Sequence, residues 1–396
     1  MTRTRRLDLA EDALAEAFSR AAERWPRNGV PANPAGWVYT TAHRYVVGRL
    51  RAEATAGRKA QSIAVRDGWQ PAQDGPDEPA DDRLPVILLC CHPAVPTESR
   101  SALALRLVIG TPTEQIARLF LVSTPTMAAR LTRAKQKIVL AGIPLGMPFD
   151  EELRVRLDEV CRTIYLAFTA GYTPGDGQGL VRADLADDAV RLALVLHDLA
   201  PDAVQVRAML ALLLLQHSRR DARERDGRLV TLAEQDRSTW HHDEIRAGLG
   251  LVAGLGPGDG YGEELRLQAL IAAEHARVSS ADATDWHTIV RHYAELEART
   301  GSAVVRLNRA VAVAEAHGPQ AGLALLADLD ELLGASHRLP AVRAELARRA
   351  GDIALARASY RRAVERCANE VERAHLTARL EALGRRSHRT RTTAAR

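Results

Sequence analysis

The stretch TEQIARLFLVSTPTMAARLTRAKQKI, residues 113–138, decides the reading of this chain. It parses into two short helices joined by a tight turn, the second of them basic. That is the arrangement of a helix-turn-helix that lays its second helix in the DNA major groove. Thr113 follows Pro112 and precedes Glu114, so its hydroxyl is placed to accept from the first free helical N–H groups. Ile116, Ala117 and Phe120 give the first helix an apolar face, and Ala117 is small where two helices must cross closely. Thr124, followed by Pro125, reads as the N-cap of the second helix. From there Met127, Leu131, Ala134 and Ile138 recur at i, i+4, i+7 and i+11 as one apolar stripe, and Arg130, Arg133, Lys135 and Lys137 fall largely off it. Thr124, Thr126 and Met127 stand at the start of the helix, nearest base edges. The later cations stand where phosphate contacts position a protein without specifying sequence. The same pattern also fits an amphipathic helix pair whose basic face is merely solvated.

Composition sets the frame around this motif. The chain of 396 residues is long enough for two or three domains, each with its own core. Ala, Leu and Arg dominate and aromatics make up only 4%, which points to an all-α protein, because strands favour aromatic and β-branched residues. No apolar run is long enough to span a membrane, and the basic, then acidic N-terminus lacks the apolar centre of a secretory signal. Of the four cysteines, Cys90 and Cys91 are adjacent and Cys161 and Cys367 stand apart, which fits a reducing cytoplasm and gives no metal-ligand spacing. The net charge of +4 is unevenly spread. Residues 1–59 carry +5, 60–100 carry −4, 101–141 carry +5 and 142–384 carry −7, while the last twelve residues hold five arginines and no acid. Two basic blocks are thus candidate phosphate-facing modules, and the basic end reads as a disordered tail.

Periodicity divides the rest. Residues 7–24 form an amphipathic helix with Leu9, Ala13, Ala17 and Phe18 on one side and Asp8, Glu11, Asp12 and Glu16 early, where the helix dipole favours acids. The turn-rich segment 26–36 breaks it. A second, basic helix spans 37–51 and carries Trp37, His43, Arg44, Tyr45, Arg49 and Arg51. Residues 67–82 read as a Pro-, Gly- and Asp-rich linker. Apolar helices at 84–91 and 97–109 lead into the helix-turn-helix, with Pro85 delaying the start of the first. Beyond GIPLGMP (142–148) come helix pairs: 151–170, 185–199, 202–222, 241–253, 262–277, 285–299, 302–317, 319–333, 339–349, 352–367 and 369–383. The clearest unit, AELARRAGDIALARASYRRAVERC (344–367), has Ala350-Gly351 at its close turn. Ala358 and Ala363 are its small crossing residues, with Tyr360 between them, in the shape of a tetratricopeptide (TPR) repeat. Such units bury their apolar faces by stacking, so a solenoid is expected, with an irregular helical bundle as the alternative.

Other clusters point less clearly to chemistry. Cys90-Cys91-His92 has adjacent side chains about 100° apart on a helix, and its apolar neighbours favour buried, inert thiols. His241-His242-Asp243 reads as a helix start, and PGDGQG (174–179) as a turn rather than a calcium loop. No nucleophile–base arrangement, phosphate-binding Gly-Lys motif or paired carboxylates stand out, so neither enzyme activity nor a cofactor or metal is expected.

Taken together, AEDALAEAFSRAAERWP (10–26), NPAGWVYTTAHRYVVGRLR (33–51), DDRLPVILLCCHPAVPTESRSALALRLVIG (81–110), the helix-turn-helix, YLAFTAGY (165–172), LAEQDRSTW (232–240) and LNRAVAVAE (307–315) resemble an extracytoplasmic-function sigma factor of the sigma-70 class. The group it resembles carries a C-terminal TPR-like extension. The resemblance implies a region-2-like module at 1–56, an acidic linker at 57–82, a region-4 module at 83–141, a short linker at 142–150, a TPR-like extension at 151–384 and the tail at 385–396. It implies core RNA polymerase (β′ clamp and β flap) and promoter DNA as partners. Glu11, Asp12, Glu16 and Phe18 would face the polymerase. Trp37, His43, Arg44, Arg49 and Arg51 would lie at the minus-ten element, and Thr124, Thr126, Met127, Arg130, Arg133, Lys135 and Lys137 at the minus-thirty-five element. A regulatory protein would bind the extension, and the site of action would be the cytoplasm, at the nucleoid. The family's first region-2 helix, before AEDAL, is missing here, so the true start is expected upstream. The alternatives at this level are a plain helix-turn-helix regulator with a sensor domain, and a repeat scaffold with vestigial DNA modules.

Overall fold

The computed structural model describes residues 7–57, 83–120, 122–143, 150–172, 183–334 and 336–393. Among these the fold is all-α: eighteen α-helices, short 3-10 turns and one hairpin of two-residue strands. The chain divides into two compact units, residues 1–156 and 157–396. Residues 58–82 of the linker expected at 57–82, the PGDGQG turn and most of the 142–150 linker lie outside the described residues.

In the first unit, α1 (Leu7–Asn28) packs on α2 (Pro34–Gly57) through Leu9, Ala13 and Val46. α1 runs on through Pro26, beyond the break expected there, because the proline falls in the last turn and costs the helix a single hydrogen bond. α2 begins before Trp37. Asn33 caps it by accepting from the Gly36 N–H at 2.8 Å, and Pro34 sits at the first helical position. α3 (Arg83–Cys90), α4 (Thr97–Leu107), α5 (Thr113–Leu119) and α6 (Thr124–Leu140) form a second small core from Ile87, Leu88, Leu103, Ile116, Met127 and Leu131, all buried. Pro85 does not delay α3. It occupies the first turn, where its missing N–H has no partner to lose.

Cys90 and Cys91 are buried beside this core and form no disulfide. The turn after them is tied by side chains. His92 Nδ1 accepts from the Ala94 N–H at 3.1 Å, and Arg100 donates to the carbonyls of Val95 and Pro93 at 2.8 and 3.1 Å. Burial, reinforced by Arg156, holds the His92 pKa below its usual value, so the ring stays a neutral acceptor.

α7 (Asp150–Tyr172) carries the boundary between the units. In the second unit α8 (Ala183–Leu199), α10 (His242–Ala253) and α11 (Gly260–Ala276) pack on α9 (Val204–His217), whose Val206–Leu215 segment is almost wholly buried. α9 stops at His217, short of the 222 expected. There Glu224–Arg225 and Arg228–Leu229 pair as β1 and β2, turned by Asp226 and Gly227, both at positive φ. An Asp-Gly pair between polar residues is a strong hairpin signal that outweighs the helix formers around it.

From α12 (Trp286–Thr300) the helices pack successively: α13 (Ala303–His317), α14 (Pro319–Ala324), α16 (Arg338–Ala350), α17 (Ile353–Arg366) and α18 (Glu370–Thr393). The single helix expected at 319–333 is two, α14 and α15 (Asp330–Leu333), because Leu326 and Leu329 are drawn inward between them. α14 lies so close to α13 that a Cβ on Gly322 would stand 2.6 Å from the Ala310 carbonyl oxygen. Gly351 ends α16 with φ +86°, and Asp352 caps α17 by accepting from the Leu355 N–H at 2.9 Å. Ala356, Ser359, Tyr360 and Ala363 form the buried face of α17. Ala358, expected at the crossing, is exposed. α18 continues to Thr393, through most of the segment expected to be a disordered tail. That stretch holds no proline and is rich in arginine, a good helix former.

Buried polar groups cross-link this unit. His217 joins Asp187 of α8 at 2.8 Å and Glu244 of α10 at 3.1 Å, and Arg220 pairs with Glu244 at 2.9 Å. Glu263 is fully buried and accepts from Arg266 at 2.6 and 2.7 Å and from the Gly258 N–H at 2.9 Å. Burial would raise its pKa, but these donors hold it below the ordinary carboxylate value. The stability it contributes is therefore present above the usual carboxylate range and lost as pH falls.

Glu263→Ala leaves the Arg266 charge unpaired in the interior and is expected to cost about 3–5 kcal/mol in denaturant unfolding followed by circular dichroism. A loss below about 1 kcal/mol, as for an exposed pair, would contradict this.

Candidate nucleic-acid interface

α6 is built to present one face and hide another. Ser123, not Thr124, is its N-cap: Ser123 Oγ accepts from the Thr126 N–H at 3.3 Å and lies 2.7 Å from Thr126 Oγ1. Thr124 is then the first helical residue and Pro125 the second, a position that needs no N–H partner. In the same way Pro112 precedes α5, and Thr113 is its first helical residue with no capping bond. Both shifts have one cause. A proline is tolerated anywhere in the first helical turn, so it marks the start only to within a residue or two.

Met127, Leu131, Ala134 and Ile138 are buried against α4 and α5. Met127, expected at base edges, is fully buried and serves the core instead. Its place at the start of the helix suggested contact with bases, but the apolar period that it opens outweighs that position. At about 100° per residue, Thr126, Arg130, Arg133 and Lys137 fall within about 60° of one another and form a second stripe beside the buried one. Thr126, Arg133 and Lys137 are exposed and Arg130 half-buried. Thr124 and Lys135 fall on the opposite flank of α6 and do not join the stripe. Arg133 donates to the Ala129 carbonyl at 3.3 Å. Among the described residues none of Arg130, Arg133 and Lys137 meets a carboxylate, whereas Arg118 on α5 lies 3.5 Å from Glu114. The stripe is thus a row of cations with no internal counter-charge, suited to phosphate, headed by a hydroxyl at the end that enters a groove.

α2 is a second candidate. Arg44 and Arg49 are exposed, and the Arg51 side chain lies outside the described residues. Trp37 is half-buried and packs edge-on against Trp25 with ring centroids 5.6 Å apart, so it serves the α1–α2 contact. His43 stacks on Tyr39 at 6.2 Å, and Tyr39 itself is exposed.

On α1, Asp12 is exposed and Glu16 pairs with Arg20 at 2.7 Å; the Glu11 side chain lies outside the described residues. Phe18, expected on the apolar side with Ala13 and Ala17, is 56% exposed, and Leu14 one turn earlier is 41% exposed. The contact with α2 uses the narrow row Leu9, Ala13, Ala17 and Ala21, which leaves the two larger side chains outside it. This exposed apolar pair is a feature that the helical period hid, because both residues count as apolar in either register.

One further cluster had no spacing signal. His337, Cys367 and Glu372 bring one ligand atom each within 4.8 Å of one another. They are already joined by hydrogen bonding: His337 Nε2 lies 2.9 Å from Glu372, and the Cys367 thiol donates to the Asn369 carbonyl at 3.4 Å. Burial, then Glu372, raises the Cys367 pKa and keeps the thiol protonated, while Arg338 and Arg223 beside Glu372 oppose an added cation.

Comparison with known proteins adds three findings. Residues 86–138, which contain most of α3 and all of α4–α5, with α6 up to Ile138, match the family described as Sigma-70, region 4. Residues 156–254 match a family of unknown function (DUF6596). An uncharacterized protein of Rhizobium meliloti (strain 1021) is 37% identical over 393 residues, covering 96% of this chain and 91% of its own length. Among the described residues no helix is long and apolar enough to cross a membrane.

Met127→Ala is expected to destabilise the chain by about 2–5 kcal/mol, whereas Thr126→Ala and Arg133→Ala should each stay within about 0.5 kcal/mol of the original. Thermal unfolding monitored by circular dichroism separates the two faces of α6 directly.

Proposed function

We propose that this chain, which belongs to the same family as the Rhizobium meliloti protein, is a promoter-specificity subunit of RNA polymerase. In this reading it is a sigma factor of the extracytoplasmic-function type with a C-terminal helical extension. The observation that carries the reading is the uncompensated stripe Thr126–Arg130–Arg133–Lys137, set on the second helix of a segment that matches sigma-70 region 4. In a sigma factor this segment reads the upstream promoter element and touches the polymerase flap. No covalent chemistry is required of it. Phosphate pairing supplies the salt-dependent affinity and a few base contacts supply selectivity.

Other features support the rest of the reading. Arg44 and Arg49 on α2 are two further exposed cations, suited to phosphates at the minus-ten element, with Tyr39 as an exposed ring for an unpaired base. Leu14 and Phe18 give α1 an exposed apolar row suited to the polymerase clamp, with Asp12 and Glu16 on the other flank of the buried face. The successive packing from α12 to α18, with the αL glycine and capped turn at 351–352, is the local geometry on which a TPR-like extension rests. That extension would act in cis on promoter use, and it offers a face for a regulatory protein.

In vitro transcription with sigma-free core polymerase and the full chain tests the proposal. Selective initiation is expected. Salt-sensitive DNA binding without initiation would instead assign the chain to plain helix-turn-helix regulators. Arg130→Ala is expected to cost about 1–3 kcal/mol and relax preference at one base pair if it meets a base, and Lys137→Ala should lower the salt slope by about 1 without changing preference. Both are read in fluorescence-anisotropy titrations. Phe18→Asp should abolish association with core polymerase in sedimentation while leaving region-4 DNA binding intact.

A further inference from the structure

The second unit contains a cavity of about 350 Å³, lined from α7, α9, α11, α12 and α13 and from the connection that follows the hairpin. This is the size of a site for a small organic molecule. Leu215, Ile271 and Leu296 give it apolar wall, while Arg219, Trp240 and His275 supply polar groups.

The charge of this wall is unusual for the unit. Arg220, Arg266, Arg309, Arg343, Arg348 and Arg349 all pair with carboxylates. Arg219 does not: among the described residues its only side-chain contact is with the Tyr172 ring, 5.8 Å from the centroid. Arg223 donates to the Tyr172 carbonyl, and Arg237 to the carbonyls of His275 and Val278. None of the lining residues is a carboxylate. Burial first, then Arg219 and Arg237, lower the His275 pKa to about 4, and burial pushes Tyr293 up to about 12. Both are neutral at neutral pH, so Arg219 leaves the wall with a single positive charge.

Two groups of the same wall are unspent. Trp240 is 4% exposed, and its Nε1 is buried with no hydrogen-bond partner. His275 Nδ1 is buried and unpartnered as well. Both atoms lie beneath the cavity surface, so the Arg219 guanidinium is the polar group that an anion in the cavity would meet. A single charge and an apolar wall favour a monoanion over a phosphate dianion.

We propose that this cavity binds a small organic monoanion, a carboxylate on an apolar body, with Arg219 as its counter-ion and Trp240 and His275 as neighbouring wall. The site belongs to the extension alone, so its occupancy does not depend on the transcription reading.

The test uses the full chain with three probes: phenylacetate, its neutral amide phenylacetamide, and inorganic phosphate. Calorimetry should give saturable binding of phenylacetate at one site per chain. It should also shift the indole N–H resonance that Trp240→Phe removes from the spectrum. Phenylacetamide and phosphate should bind at least about tenfold more weakly, and Arg219→Gln should weaken phenylacetate by about tenfold while Arg219→Lys retains more of the affinity. Equal binding of acid and amide, tighter binding of phosphate than of phenylacetate, unchanged affinity in Arg219→Gln, or no saturable binding of phenylacetate at millimolar concentration would each overturn the proposal. If Arg219→Gln fails to fold by its melting profile, the comparison of acid with amide on the unaltered chain decides alone.

Discussion

Burial of Met127, Leu131, Ala134 and Ile138 is the constraint from which the rest of the first unit follows. A helix has one rotational setting, so fixing four side chains in a core fixes all the others. The row that seats α6 against α4 and α5 turns Thr126, Arg130, Arg133 and Lys137 to a neighbouring face at the same spacing. The buried row and the exposed cationic row thus share one helix without sharing residues. The Ser123 cap and Pro125 set where this register begins, and the hydroxyl of Thr126 is held at the end that a groove would receive.

The second unit solves a different problem. Its sequence is rich in Ala and Leu and poor in aromatics, so its helices approach closely and fill space with small side chains, as Ala344, Ala347, Ala356 and Ala363 do around Tyr360. Such close packing leaves little freedom for polar groups, and most buried ones are paired, as in the Glu263–Arg266 bond and the His217–Glu244–Arg220 cluster. The cavity is set apart by its charge instead: Arg219 lines it and no carboxylate does.

Much of this was legible in the residues, because helix period and punctuation are local. The helix-turn-helix, the inert thiols at Cys90 and Cys91, the start of α10 at His242 and the α16–α17 turn at Gly351 were all read from spacing and turn chemistry. The misplacements have local causes too. Prolines at 85, 112 and 125 marked helix starts only approximately, since the first turn tolerates them. The Asp226-Gly227 hairpin was overlooked inside a run of helix formers. Ala358 is exposed rather than at a crossing, Phe18 lies outside the apolar side of α1, and of the two places suggested for Met127 only the apolar stripe holds, because a residue near the edge of an apolar arc is buried or exposed according to the neighbour it meets.

The sequence by itself determined the helical character, the order of the elements and the basic nature of α6, since these rest on interactions within a few residues of the chain. Only the tertiary structure decided which cations share a stripe, which apolar side chains of α1 stay exposed, and that Arg219, Trp240 and His275 meet at one cavity. Those facts depend on helices far apart in the chain coming into contact. The hydrogen bonds and charges left unsatisfied after that packing have no signature in any single stretch of residues.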